Sequence, residues 1–136
     1  MVVVPAHLVG QMYDELLKFT EGFEIFEYYG DHRSEFGSNG RRQIKGHLSK
    51  DHDLFTNRRT DPALRIVVTS HHTLTARHGK KKLHEWRMKA TNNDQVLCDS
   101  LADEPDHNCP DLLMGLFGFV AVDEAHIVSH FSVAAT

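Results

Sequence analysis

Cysteine and long apolar runs are both scarce in this sequence. There are two cysteines, too few for a disulfide-stabilised scaffold. The longest uncharged apolar run, Leu112–Val122, has 11 residues, whereas a membrane-spanning helix needs about 20. The first residues, Met1–Pro5, lack the basic start of a secretory signal. These absences favour an intracellular, reducing setting with no membrane partner.

The remaining composition is that of an ordinary globular chain. Its 136 residues are 40% hydrophobic and 25% charged, with a net charge of -4. Those values exclude a wholly disordered or fibrous protein and fit one domain or part of one. The charges are segregated: residues 77–89 carry six lysines or arginines against one acid, whereas residues 92–111 carry six acids and no lysine or arginine. The basic block predicts either a solvated helix face or a surface that contacts phosphates.

Apolar periodicity divides the chain into three parts. Residues 1–30 predict a strand, a helix and a second strand. Residues 31–65 are a polar insertion with few apolar positions. Residues 66–136 predict a strand, a basic helix, an acidic loop and a last apolar strand. Strands that alternate with helices predict an α/β fold with a parallel sheet.

Short apolar runs rich in β-branched and aromatic residues predict the strands. These runs are 2–4, 23–29, 66–69 and 119–122. Apolar residues three or four apart predict the helices. The predicted helices are 6–19, 41–50 and 73–90, the last mostly after Gly79. The run 119–122 is apolar throughout, which is typical of a strand covered on both faces.

The last predicted strand is followed directly by two carboxylates, Asp123 and Glu124. In open parallel sheets, ligands bind at the carboxyl ends of the strands. One carboxylate there can hold Mg²⁺ through water, while the other polarises a water that attacks a phosphate. The alternative is an acidic cap that opens a helix at Ala125.

The segment 2–11 resembles a motif of the Swi/Snf-type ATPases, which belong to the second helicase superfamily. In that family an apolar strand follows the nucleotide-binding helix and leads into a proline, a leucine and Gln-Trp. This sequence has Pro5 and Gln11, but Met12 stands where the family has tryptophan.

Two later segments resemble further motifs of the same family, in the same order. Residues 67–71 resemble its Thr-Thr/Ser-Tyr motif, with His71 in place of the tyrosine. Outside that resemblance, His71 and His72 are expected to pack or to face solvent. Residues 116–126 resemble the Walker B strand and the DEAH box. The ordered set covers nearly the whole chain and implies part of a Rec-A-like lobe.

The resemblance implies a role for each matching residue. Asp123 would sit on the Mg²⁺ of bound ATP, Glu124 would activate the attacking water, and His126 would couple the nucleotide state to the other lobe. Four further residues would lie near the backbone of duplex DNA: Pro5, Gln11, Thr69 and Ser70. The implied activity is ATP hydrolysis coupled to translocation on DNA, in the nucleus and with chromatin proteins as partners.

The phosphate-binding loop of such enzymes is missing from this sequence. None of the nine glycines begins G-x-x-x-x-G-K-[ST]; Gly79-Lys80 has no glycine five residues before it. We therefore expect an incomplete lobe that lacks its P-loop strand and does not hydrolyse ATP alone. The missing strand would leave Val2–Val4 and residues 119–122 without a neighbour, which predicts an exposed edge and self-association.

Two other classes of function stay open. The chain would be non-catalytic if it were a truncated paralogue, or a small nucleic-acid- or protein-binding module that uses residues 77–89 for contact. A structural zinc site is the third class, although no Cys-x-x-Cys or His-Glu-x-x-His pattern occurs. Its candidate ligands are Cys98, His107, Cys109, His126 and His130.

Overall fold

The computed structural model describes residues 1–30, 40–100 and 108–124. Within these ranges the strands are β1 (Val2–Val4), β2 (Glu24–Tyr28), β3 (Arg65–Ser70) and β4 (Ala121–Val122). The helices are α1 (Val9–Phe19), α2 (Asp53–Thr56), α3 (His71–His78), α4 (Lys80–Ala90) and α5 (Gln95–Ser100). Single turns of 3-10 helix at Ala6–Leu8 and Pro62–Leu64 precede α1 and β3.

The strands form one parallel sheet in the order β2-β3-β1-β4, which confirms the predicted parallel α/β architecture. Val4 pairs with Ser70 of β3, and Val3 pairs with Val122 of β4. The expectation that β1 would lie beside an unpaired edge is therefore wrong, because strands flank it on both sides. The expectation holds for β4, which is the edge strand on that side of the described sheet.

Alternating side chains bury both faces of the sheet's centre, as a parallel sheet requires. On one face, Val4, Ile25 and Val68 pack against Val9 and Tyr13 of α1. On the other face lie Tyr28 and Val67 with three residues of the polar insertion: Ile44, Leu48 and Leu54. The insertion therefore supplies three of the five buried residues on this face.

Pro5 separates β1 from the first helix. Proline has no N–H for the sheet, and its carbonyl oxygen accepts the Leu8 N–H at 2.9 Å to close the 3-10 turn. The predicted helix over 6–19 is confirmed, with that turn as its start. Val9 and Tyr13 are its buried positions, so α1 packs on the sheet through the apolar face that the helical periodicity predicts.

The helix predicted over 41–50 is absent. The chain there runs extended along the free edge of β2, where Glu27 N–H donates to Arg42 O at 2.8 Å and Ile44 N–H donates to Glu27 O at 3.0 Å. Gly46 then turns with φ +76°. Ile44 and Leu48 are both buried, although they belong to a loop that turns between them at Gly46. The four-residue spacing that suggested a helix therefore does not reflect helical periodicity.

Arg65 fastens the rest of the insertion to the sheet. Its guanidinium donates to the carbonyl oxygens of Leu54, Asn57 and Thr60 and to the Glu24 carboxylate. Thr60 Oγ1 also donates to Glu24 at 2.6 Å, and this bond is the largest cause that lowers the pKa of Glu24. A charged group that satisfies three carbonyls stabilises a segment with few apolar contacts of its own.

The last strand departs from its prediction. It spans Ala121–Val122 instead of 119–122. Phe119 is 77% exposed, Val120 45% and Val122 39%. Cover on both faces was predicted for this run, and the described part of the chain does not provide it.

Two helices differ from the pattern-based boundaries. α3 begins at His71, two residues before its predicted start, because the Ser70 hydroxyl caps it by accepting Thr73 N–H at 3.1 Å. The predicted acidic loop over 91–110 contains α5, whose Cys98 is buried. Cys98 Sγ lies 3.6 Å from His84 Nδ1 of α4, so a packed thiol holds this short helix.

Candidate functional site

The carboxyl ends of β1, β3 and β4 lie side by side, and this edge of the sheet is the candidate site. Asp123 N–H donates to Val3 O at 2.8 Å, which fixes the residue after β4 against β1. His71 Nε2 lies 3.0 Å from Asp123 O; a carbonyl oxygen only accepts, so the ring nitrogen donates. This bond crosses the end of β1 and joins the residues that follow β3 and β4, which are 52 residues apart.

The acid pair at this edge is open to solvent. Asp123 and Glu124 are both exposed. Glu124 has φ +52°, a left-handed conformation that is costly for a residue with a side chain. Its N–H donates to Asp123 Oδ1 at 2.9 Å. Exposed carboxylates in a strained backbone at a sheet edge are accessible to a hydrated cation or a reactive water.

The hydroxyls of Thr69 and Ser70 have internal partners. Thr69 is fully buried and its Oγ1 donates to Tyr28 O at 2.7 Å. Ser70 is 1% exposed, and its Oγ caps α3 and lies 3.0 Å from Thr73 Oγ1. These bonds join β3 to β2 and to α3. The two residues therefore hold the carboxyl end of β3 in place. Their contact with DNA stays a prediction, and neither hydroxyl is accessible to support it.

Pro5 and Gln11 lie near the same edge, at the end of β1 and in the first turn of α1. Pro5 is partly buried and Gln11 is exposed. The Gln11 amide donates to Glu15 Oε1 at 2.9 Å, one helical turn away. His126 lies outside the described residues.

His71 is a site residue that sequence reasoning did not single out. It was expected to pack or to face solvent, and its partly exposed ring also ties the end of β3 to the backbone of the acid pair. No property of a single histidine predicts such a bond. The one available signal was its position in the resemblance, where it replaces the family's tyrosine.

A partly buried polar network surrounds the side chain of Tyr28, the last residue of β2. His78 Nδ1 lies 2.8 Å from Asp111 O and must donate to it, so in the neutral ring Nε2 accepts from the Tyr28 hydroxyl at 3.0 Å. Tyr28 Oη also accepts Leu48 N–H at 3.3 Å. His47 stacks on His78 with ring centroids 4.8 Å apart. Burial lowers the pKa of His78 to about 4, because the charged ring would lose its hydration.

No group of three or more His, Cys, Asp or Glu side chains among the described residues is arranged to hold a metal ion. Cys98 and Cys109 are buried and are not joined in a disulfide, and the other three zinc candidates fall outside those residues. None of the described helices is both long and apolar enough to cross a membrane.

No protein family, curated protein or solved structure matches this chain. The parallel α/β fold therefore rests on the sheet itself.

Proposed function

We propose that this chain is part of a Rec-A-like lobe of a Swi/Snf-type, DNA-dependent ATPase, in which Asp123 and Glu124 serve Mg²⁺-bound ATP. The position of the acid pair carries the proposal. The two carboxylates follow an edge strand of a parallel sheet and are exposed at its carboxyl end. That is where α/β sheets bind ligands.

The residues present fit the metal half of such a site. Asp123 would hold Mg²⁺ through water, and Glu124 would orient the attacking water and take its proton. ATP, when bound, supplies the phosphoryl group that is transferred to water. The sequence holds no loop of the P-loop pattern, so the cradle for the phosphates must come from another segment. His126 would couple the nucleotide state to the second lobe, as the resemblance implies.

Duplex DNA and chromatin proteins in the nucleus are the partners in this proposal. The start of α1, with Pro5 and Gln11, stands at the same edge as the acid pair. The bond from His71 to Asp123 O offers a physical link between the segment that resembles the DNA-contacting motif and the acid pair. A shift of β3 on DNA binding would be felt at Asp123 through this bond.

The test uses the native protein, purified from its own cells with a tag on the endogenous gene. Glu124→Gln should lower DNA-stimulated ATP hydrolysis by about 10²-fold or more, since correctly placed proton transfer contributes that much. Glu21→Gln is the matched control, because Glu21 is exposed and precedes β2, so it lies at the amino ends of the strands and not at their carboxyl ends. Equal activity of the two variants would contradict the proposal.

The 136-residue chain alone gives a second test. Without a phosphate cradle it should release no phosphate from Mg²⁺-ATP above background. Release that depends on Mg²⁺ and disappears in Glu124→Gln would show that the chain has a complete site, contrary to the proposal.

A second candidate function is that of a non-catalytic module that binds nucleic acid or protein. The lysines of α4 favour it, because Lys80, Lys81 and Lys89 are exposed and none forms an ion pair with any residue the structure describes. Native protein that retains DNA but hydrolyses no ATP would support this candidate over the ATPase.

A further inference from the structure

The backbone pairing of β1 with β4 stops at Pro5 and leaves one acceptor over. Ala121 N–H donates to Met1 O, and Asp123 N–H donates to Val3 O. In a parallel ladder, a residue that donates in this way also accepts, through its own C=O, the N–H that lies two residues further along the neighbouring strand. For Asp123 that N–H would belong to residue 5, which is proline and has none. The ladder between β1 and β4 therefore provides no donor for Asp123 O.

The ring of His71 takes the place of that donor. Its Nε2 lies 3.0 Å from Asp123 O and donates to it. The strands β3 and β4 lie on either side of β1, and since neighbouring strands are about 4.8 Å apart, a long side chain is needed to reach across. His71 is the first residue of α3, and the Ser70 hydroxyl that caps this helix belongs to a residue that is 1% exposed. The backbone from which the ring projects is thus held by a buried cap.

The same bond fixes the direction of the next residue. Asp123 C=O and Glu124 N–H belong to one planar peptide group. His71 binds the oxygen of this group, and Asp123 Oδ1 binds its N–H at 2.9 Å. Glu124 has φ +52°, a left-handed conformation that a rotation of this peptide group would relieve. Because both ends of the group are bonded, the rotation requires two hydrogen bonds to break.

We propose that His71 is the positioning residue of the acid pair. By donating to Asp123 O in place of the N–H that Pro5 lacks, it holds the peptide group before Glu124 and so sets the direction in which the Glu124 carboxylate meets the attacking water. The catalytic consequence rests on the proposed function. The pairing of His71 with Pro5 does not depend on ATP hydrolysis, because it belongs to the backbone of the sheet edge.

The first test measures amide hydrogen exchange at Asp123 by NMR in the full 136-residue chain, because this N–H makes the ladder bond beside the peptide group in question. His71→Ala should raise the exchange rate about fivefold, which is the usual effect of losing one hydrogen bond. His71→Gln should restore slow exchange, since glutamine keeps a donor on a long side chain. His72→Ala is the matched control, because His72 is the next residue of α3 and is exposed.

The decisive comparison uses Pro5→Ala, which restores the backbone N–H at the end of β1. In that background His71→Ala should change the exchange rate by less than about twofold, because Asp123 O then has a second donor and the two substitutions are not additive. Additive effects would overturn the proposal. So would unchanged exchange in His71→Ala, or an equal increase in His72→Ala.

Circular dichroism of each variant shows whether it is folded. If His71→Ala unfolds, His71→Asn takes its place in every comparison, because its shorter side chain keeps a polar group but cannot reach across β1. The same fivefold increase in exchange, suppressed by Pro5→Ala, is then expected.

A kinetic measurement on the native protein distinguishes positioning from a merely structural role. His71→Ala should lower kcat for DNA-stimulated ATP hydrolysis by about 10- to 100-fold, as expected for a misplaced reacting group, with the KM for ATP nearly unchanged. His71→Gln should recover most of kcat. Faster exchange at Asp123 with an unchanged kcat would overturn the positioning role.

The two measurements separate the role of His71 from the proposed ATPase. If Glu124→Gln and the unmodified native protein are equally inactive, while exchange at Asp123 depends on His71 and Pro5 as described, only the proposed ATPase fails and His71 remains the residue that orients the acid pair. If ATP hydrolysis depends on Glu124 while His71→Ala changes neither exchange nor kcat, only the role of His71 fails.

Discussion

The largely buried ring of His78 should make the stability of this protein depend on pH. In the neutral form its Nδ1–H donates to Asp111 O and its Nε2 accepts from the Tyr28 hydroxyl. A proton on Nε2 would turn that acceptor into a second donor and would leave a charge in a partly buried site. His47 and Arg77 add repulsion, although Asp111 partly offsets it.

The direction follows from the two pKa values. In the folded protein the pKa of His78 is lowered from 6.5 to about 4, so between these values the unfolded chain binds the extra proton. The stabilisation is therefore present above about pH 6.5 and is lost as the pH falls toward about 4. At 1.36 kcal/mol per pKa unit the full difference is about 3 kcal/mol. Because solvent screens the partly exposed ring, about 1 to 2 kcal/mol is expected.

Urea unfolding at about pH 7.5 and about pH 5.0 measures this effect as a free energy of unfolding. His78→Gln keeps a donor and an acceptor but does not titrate, so its loss of stability between the two pH values should be smaller than that of the unmodified protein by about 1 kcal/mol or more. His7→Gln is the control, since His7 is exposed. Identical pH dependence in the unmodified protein and in His78→Gln would refute this reasoning.

Three further predictions concern stability and association. Arg65→Ala should lower the free energy of unfolding by about 2 to 4 kcal/mol, because three carbonyls and a carboxylate lose their donor. The control Arg42→Ala removes a more exposed guanidinium and should cost less than about 1 kcal/mol. Equal effects of the two variants in urea unfolding would contradict the role of Arg65. Gly79→Ala should cost about 1 to 3 kcal/mol from overpacking, whereas Gly118→Ala, with nothing within 4 Å of the new atom, should cost less than about 1 kcal/mol. Val120→Lys should reduce self-association in sedimentation velocity, because a charge protects an exposed strand edge; a monomeric unmodified chain would contradict that prediction.

The sequence predicted the sheet well, because its strands carry their own signal. Val2–Val4 and Ile66–Thr69 are apolar and β-branched, and both are buried strands of the described sheet. The helix after Pro5 was equally clear, since its apolar positions recur at helical spacing and α1 buries that stripe. Each of these elements combines local preference with burial, and such agreement makes prediction reliable.

The errors occur where long-range contacts override local pattern. Ile44 and Leu48 are four residues apart, but an edge pairing of Gln43 with Glu27 holds the chain extended before Ile44, and Gly46 turns it before Leu48. The run 119–122 is apolar, yet most of it is exposed at the edge of the described sheet. The role of His71 depends on a contact across β1. None of these contacts is encoded within a short window of sequence.

The sequence predicted where the acid pair of the candidate site lies, but not the surroundings of the neighbouring hydroxyls. The acid pair was expected at the carboxyl end of a parallel strand, and Asp123 and Glu124 are there. The hydroxyls of Thr69 and Ser70 were expected at the DNA, whereas the fold buries them. A hydroxyl at a strand end serves a turn or a ligand equally well, and only the tertiary partners decide.

The most direct test of the ATPase account is the size of the native polypeptide, together with the sequence that precedes Val2 in it. Antibodies against the peptide from Asp94 to Asn108 would detect it in a cell extract, and mass spectrometry of the captured protein would give its upstream peptides. The account predicts a band much larger than 15.5 kDa, with a G-x-x-x-x-G-K-[ST] segment before Val2. A single band at 15.5 kDa would contradict it, because Asp123 and Glu124 would then have no phosphate cradle in the same protein.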